Sequence, residues 1–184
     1  MYGNEKRARL LAESAVFIAL IAVGGWISIP ILIIPFTLQN IFILLAAAVM
    51  KRYAVIPVGL YVLFGSLGLP IFHNGTAGLG VLLGPTGGFL IGFVIMGAVA
   101  GWLFEKETIR YDILACAAFV TGLYVFGTAW FMISTGAELT AALLACAVPY
   151  IPGDIIKCVI VEAVILRLCS AKNKTSQTNN DIHS

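Results

Sequence analysis

Long apolar runs, broken by short polar or proline- and glycine-bearing stretches, organise this chain. A helix needs about 20 apolar residues to cross a hydrocarbon core, and fewer where it abuts a protein-lined cavity. On that measure six membrane helices are predicted, at approximately 10–29, 36–50, 53–69, 86–104, 113–133 and 153–169. A further run, Ala137 to Val148, is too short to span and predicts a re-entrant or interfacial helix. Residues 1–170 are expected to form a single six-helix membrane domain, and the polar residues 171–184 a disordered cytoplasmic tail.

Composition turns this pattern into a class. Hydrophobic residues make up 60% of the chain and charged ones 11%, with a mean hydropathy of +1.01. An average soluble domain carries about 25% charged residues. The expectation is an all-α integral membrane protein. A net charge of +2 without a basic cluster excludes a nucleic-acid groove. Cys116, Cys146, Cys158 and Cys169 lie in apolar runs without CxxC or Cys/His spacing, which suits packing and offers no metal site. Lys6, Arg7 and Arg9 precede the first apolar run, and no cleavage site with polar flanks follows, so that run is expected to stay as a helix.

Positive charge assigns the sides. With both termini cytoplasmic, Lys6, Arg7, Arg9, Lys51, Arg52, Lys106, Arg110, Arg167, Lys172 and Lys174 all fall inside. Lys157 is the basic residue left on the external side. A residue placed against the insertion rule calls for a local partner or a ligand.

The interruptions carry the candidate chemistry. Ala8, Ala12, Ala15, Ala19 and Ala22 form a small-residue stripe that suits either a partner protein or a neighbouring helix of the same chain. Ile29 to Asn40, with Pro30 and Pro35, is too apolar for a solvent loop and is expected to fold back over the external mouth. Thr37, Gln39 and Asn40 then open the second helix with hydrogen-bonding groups. The stretch Gly65 to Gly88 is rich in glycine but lacks a P-loop or dinucleotide pattern. His73 within it has no second ligand at metal spacing. Phe119, Tyr124, Phe126, Trp130 and Phe131 on the fifth helix suit either a lipid-facing belt or an apolar pocket.

The sharpest signal is Pro149-Tyr150-Ile151-Pro152-Gly153-Asp154-Ile155-Ile156-Lys157. Residues three apart share a helix face, so Asp154 and Lys157 are expected to be neighbours. Asp154 also sits in the first turn, where the helix dipole favours an anion. The pair suits a ligand site or a self-contained ion pair, and intramembrane charges are functional by default. Glu162 lies deeper on the same helix, where Arg167 or a partner subunit is within its reach. No catalytic constellation is present, and Glu138 with Asp154 is the one conceivable carboxylate pair at a shared external site. No Walker sequence occurs, so energy-driven transport requires a partner.

Four stretches resemble the motifs of the BioY family, the biotin-binding S components of energy-coupling factor (ECF) transporters. They are Pro35-Phe36-Thr37-Leu38-Gln39, Gly68-Leu69-Pro70 with the glycine-rich loop after it, Gly84-Pro85-Thr86-Gly87-Gly88-Phe89-Leu90-Ile91-Gly92, and the Pro149 to Lys157 stretch. The resemblance runs through all six segments in order. It implies an ECF S-component fold in the cell membrane and no enzyme activity. Biotin is the implied ligand, bound with high affinity near the extracellular face by the loops after helices one, three and five. The implied partners are a transmembrane T component, met through Ala15 and Ala19, and two ABC ATPases. Asp154 is then expected to accept from the ureido nitrogens of biotin, Asn74 to donate to its carbonyl, and Lys157 to meet its carboxylate or hold Asp154 ionised. Phe36, Tyr150 and Trp26 are expected to cover the thiophane ring, with Gln39 among the substrate-binding residues. Loops of the family often read Gly-Gly where this chain has Asn74-Gly75 and Ala77-Gly78. Two rivals stand beside this function: another vitamin on the same scaffold, and a stand-alone proton-coupled carrier using Glu162 or Asp154.

Overall fold

The structure, a computed structural model, describes residues 2–29 and 33–182. Pro30 to Leu32, expected in the strap over the mouth, lie outside the described residues. In chain order the elements are α1 (Tyr2–Trp26), β1 (Ser28–Ile29), β2 (Phe36–Thr37), α2 (Gln39–Met50), α3 (Val55–Ser66), α4 (Leu79–Leu83), α5 (Gly87–Phe104), α6 (Ile109–Thr135), α7 (Leu139–Cys146) and α8 (Ile151–Ile182). The first helix starts well before residue 10, since Glu5, Lys6 and Arg7 are good helix formers and no proline precedes them. The last continues through the stretch expected as a disordered tail, where no proline or glycine follows Gly153 to interrupt it.

By length and apolarity, four helical stretches are able to cross a membrane, and the bent pair α7 and α8 makes a fifth. Six crossings are therefore not returned by length alone, and the difference lies in Gln39–Ser66. Lys51 adopts φ 55°, a 3-10 turn follows over Lys51–Ala54, and α3 folds back beside α2. Two contacts establish the reversal. The Gln39 amide donates to the Tyr61 hydroxyl, and Ile43 and Val58 approach one point, 3.4 and 3.8 Å from where a Cβ on Gly97 would stand. In a straight helix those two residues would be about 22 Å apart. Each 12-residue arm is about 18 Å long at 1.5 Å per residue, short of a ~30 Å core.

The core lies where α2, α3, α5 and α6 meet and is filled by side chains such as Ile43, Leu44, Tyr61, Phe104 and Phe119. Many large apolar side chains instead face outward along the helices, as lipid-facing surfaces require. At the far end of α5 from its glycine-rich start, Lys51 donates to the Phe104 carbonyl at 2.7 Å and Arg52 pairs with Glu105 at 2.6 Å. The short antiparallel β1–β2 ladder pairs Ser28 with Thr37 and Ile29 with Phe36, forming strands where the proline-bearing stretch predicts only a fold-back. Beneath it a second apolar cluster joins Ile34, Phe131, Ala142, Cys146 and Tyr150. α7 confirms the short helix expected at 137–148, and α8 leaves it at a 44° bend across Pro149.

Candidate functional site

Between the strap, the starts of α2 and α5, the middle of α6 and the α7–α8 corner lies a cavity of about 630 Å³, mouth included. Its walls are mostly apolar, with Phe89, Leu90, Phe93 and Leu123 contributing from α5 and α6. Five residues expected at the site from sequence, Phe36, Gln39, Tyr150, Asp154 and Lys157, all line it.

Asp154 is 4% exposed and sits in the first turn of α8, directly after Pro152 and Gly153. Its Oδ1 accepts from Lys157 Nζ at 2.8 Å and from Asn40 Nδ2 at 3.2 Å. Its Oδ2 accepts from the Tyr124 hydroxyl at 2.6 Å. Three helices thus supply donors to one buried carboxylate, which meets the requirement that buried charge be paired and hydrogen-bonded. Lys157 is equally buried, and its ammonium stands 3.7 Å from the centroid of the Phe36 ring. A cation over an aromatic face is stabilised by the ring quadrupole, most strongly when desolvated.

That ring links two motifs far apart in sequence. Phe36 stacks on Tyr150 at 6.3 Å and 15°, and the Tyr150 hydroxyl donates to the Ile34 carbonyl. A Cβ on Gly153 would stand 2.6 Å from Phe36 Cε2, so only glycine leaves room for the ring. The Pro-Gly-Asp run is therefore a seat for the strap as well as a helix start. Gln39 is spent inside the wall: it accepts from Thr37 at 3.2 Å and donates to Tyr61. Its part in the cavity is to hold the strap to α3.

The structure corrects three expectations. Asn74 does not reach the cavity. It adopts φ 54° on a 3-10 turn, is exposed, and borders a separate shallow depression with Trp26, Pro70 and Gly75. Trp26 likewise stays outside, its indole donating to the Pro70 carbonyl at 3.1 Å. Glu138 is exposed at the start of α7 and is not among the residues lining the cavity with Asp154. His73, one residue before Asn74, lines the cavity instead. Its Nδ1 lies 3.1 Å from the Thr76 hydroxyl, and burial lowers its pKa from the ordinary 6.5.

Asn40 and Tyr124 line the cavity and bond Asp154, although the sequence assigns neither a ligand role. Asn40 had stood out as a polar opening to the second helix, and Tyr124 as one of several aromatics. Nothing local joins either to Asp154, because each lies on a different helix. The α6 aromatics settle mainly inward: Phe119 and Phe131 are buried, and Trp130 donates to the Gly84 carbonyl at 3.0 Å. On α1, Ala8, Ala12, Ala15 and Ala19 are exposed, whereas Ala22 is buried. Both Glu162 carboxylate oxygens are buried without a hydrogen-bond partner among the described residues, and no contact with Arg167 forms.

Comparison with known proteins adds to this geometry. The model of the BioY family matches residues 3–174. A biotin transporter BioY of Thermotoga maritima is 40% identical over 163 residues, covering 87% of this chain and 95% of that protein. Biotin transporter BioY2 of Lactococcus lactis subsp. cremoris is 36% identical over 166 residues, covering 86% and 89%. A crystal structure of the S-component for biotin from an ECF-type ABC transporter superimposes with a TM-score of 0.83 at 27% identity, over 91% of this chain and 94% of that one.

Proposed function

The chain belongs to the BioY family, and from that premise we propose that it is the biotin-binding S component of an ECF transporter. Proteins of this family are multi-pass membrane transporter components and not enzymes. The single observation that supports biotin here is the cavity in which a buried Asp154–Lys157 pair faces apolar and aromatic walls. A cyclic urea offers an N–H donor to Asp154 and a carbonyl to a lysine N–H, while the thiophane ring suits the Phe36 and Tyr150 side. Lys157 directs one N–H at Asp154 and another edge at Phe36, which leaves a donor for the ligand carbonyl or the valerate carboxylate.

The proposed topology has α1, α2, α3, α5, α6 and α8 as six crossings, with the short α2 and α3 shielded by α5. The Lys51–Arg52 turn lies at the opposite end of α5 from the cavity. Positive charge inside then puts the cavity at the extracellular face and both termini in the cytoplasm. Exposed Ala15 and Ala19 would let a T-component helix approach closely, and paired ABC ATPases would supply the energy that this chain has no sequence to harvest.

Titration calorimetry of the purified protein with biotin tests the assignment. One site of high affinity is expected, weakened at least 100-fold by Asp154→Asn with helix content unchanged, since it removes half of a buried charge pair. Absence of biotin binding, or a different vitamin bound in its place, would sink it.

A further inference from the structure

The Asp154 carboxylate has about four acceptor positions. Lys157 and Asn40 occupy both on Oδ1, and Tyr124 occupies one on Oδ2. One remains. The two N–H groups of a cyclic urea point to opposite sides of its ring, so a single open position receives only one of them. The other, once buried, needs an acceptor on a different wall. Thr37 and Gln39 are already paired with each other, and Tyr150 is committed to the strap.

His73 meets this need, and its neighbour decides its tautomer. The Thr76 hydroxyl has one proton and donates it to the His73 carbonyl at 2.8 Å. With that proton on the carbonyl, Nδ1, 3.1 Å from the same oxygen, is assigned as the donor and carries the ring proton. In the neutral ring Nε2 is then a bare acceptor. It makes no hydrogen bond among the described residues and is not one of their sealed, unsatisfied atoms. His73 lines the same cavity as Asp154.

We propose that His73 is a further ligand-binding residue, whose Nε2 accepts the N–H that Asp154 has no position for, so that the site selects a cyclic urea with both nitrogens unsubstituted. This rests on the biotin reading above. Burial favours the neutral ring and so preserves the acceptor at neutral pH. The charged groups facing it across the cavity, Asp154 and Lys157, neutralise each other. The other titratable groups there are Tyr124, Tyr150 and Cys146. The helix packed behind the turn, α1, carries Glu5, Lys6, Arg7, Arg9 and Glu13 towards its opposite end, and α3 contributes Tyr61 through its contact with Phe72.

The test is calorimetry on the full chain with biotin and with its two mono-N-methylated analogues, from pH 7.5 downward through the titration of the imidazole. His73→Ala is expected to weaken biotin about tenfold at pH 7.5, the worth of one buried hydrogen bond. It should also lose the discrimination against one of the methylated analogues. Wild-type affinity should fall as the pH drops through the pKa of the ring, which burial places below the ordinary 6.5, because the imidazolium loses its acceptor. His73→Gln, which keeps an acceptor oxygen, should bind better than His73→Ala and show no such fall. Equal analogue ratios in wild type and His73→Ala, or the same pH response in His73→Gln, overturn the proposal while biotin binding stands. Failure of the wild type to bind biotin at pH 7.5 overturns the biotin reading itself.

Discussion

Replacing Gly153 with alanine probes the joint between the strap and the last helix. The new methyl carbon would stand 2.6 Å from Phe36 Cε2 and 3.5 Å from Cε1. Carbon atoms rest at about 3.5–4.0 Å, so the ring must retreat by roughly 1 Å. It has little freedom to do so, since Lys157 lies 3.7 Å from its centroid and Tyr150 stacks beside it at 6.3 Å. Overpacking of this kind costs about 1–3 kcal/mol, which lowers a melting midpoint by roughly 2–10 °C in a chain of this size. Loss of a desolvated cation–π contact adds up to about 2 kcal/mol. Biotin affinity should then drop by ten- to several hundred-fold, at 1.4 kcal/mol per decade. Thermal melting in detergent and biotin calorimetry read both effects. Phe36→Leu in the Gly153→Ala background should raise the midpoint again by removing the overlapping ring edge. A Gly153→Ala protein that melts and binds as the wild type does would refute the packing account.

Lys157→Met leaves Asp154 buried with only neutral donors, and breaking a pair whose side chains are 5% exposed should cost about 3–5 kcal/mol; the double variant Asp154→Asn/Lys157→Met should regain thermal stability but not biotin binding. Gly101→Val should lower the melting midpoint because the added Cβ meets the Lys51 backbone carbon at 2.8 Å, where neither chain can give way. Protein that survives this change should bind biotin within twofold of wild type, since the contact lies at the other end of α5 from the cavity.

The class of the molecule was legible in the sequence because burial in lipid demands long apolar helices, and residues such as Lys157 stand out against them. The Asp154–Lys157 contact was legible for a similar reason: helical geometry brings residues three apart together wherever the helix lies. Lys51 and Arg52 separate two apolar segments in the sequence, and the structure has a helix on each side, both shorter than a full crossing. Adjacent loop residues were another matter. Asn74 and His73 are neighbours on one turn, yet the left-handed backbone at Asn74 leaves it exposed while His73 meets the cavity. Periodicity has no hold on a segment without a repeating backbone.

By itself, then, the sequence determined the main apolar helices, their order and the Asp154–Lys157 contact within one turn. Only the tertiary structure decided that Asn40, 114 residues from Asp154, and Tyr124, 30 residues away, would complete that carboxylate's shell. It also decided that Phe36 would fill the space Gly153 leaves open. Such contacts depend on how rigid helices pack against one another, and that packing is settled by the combined shape of many side chains rather than by the local rise and twist of the backbone.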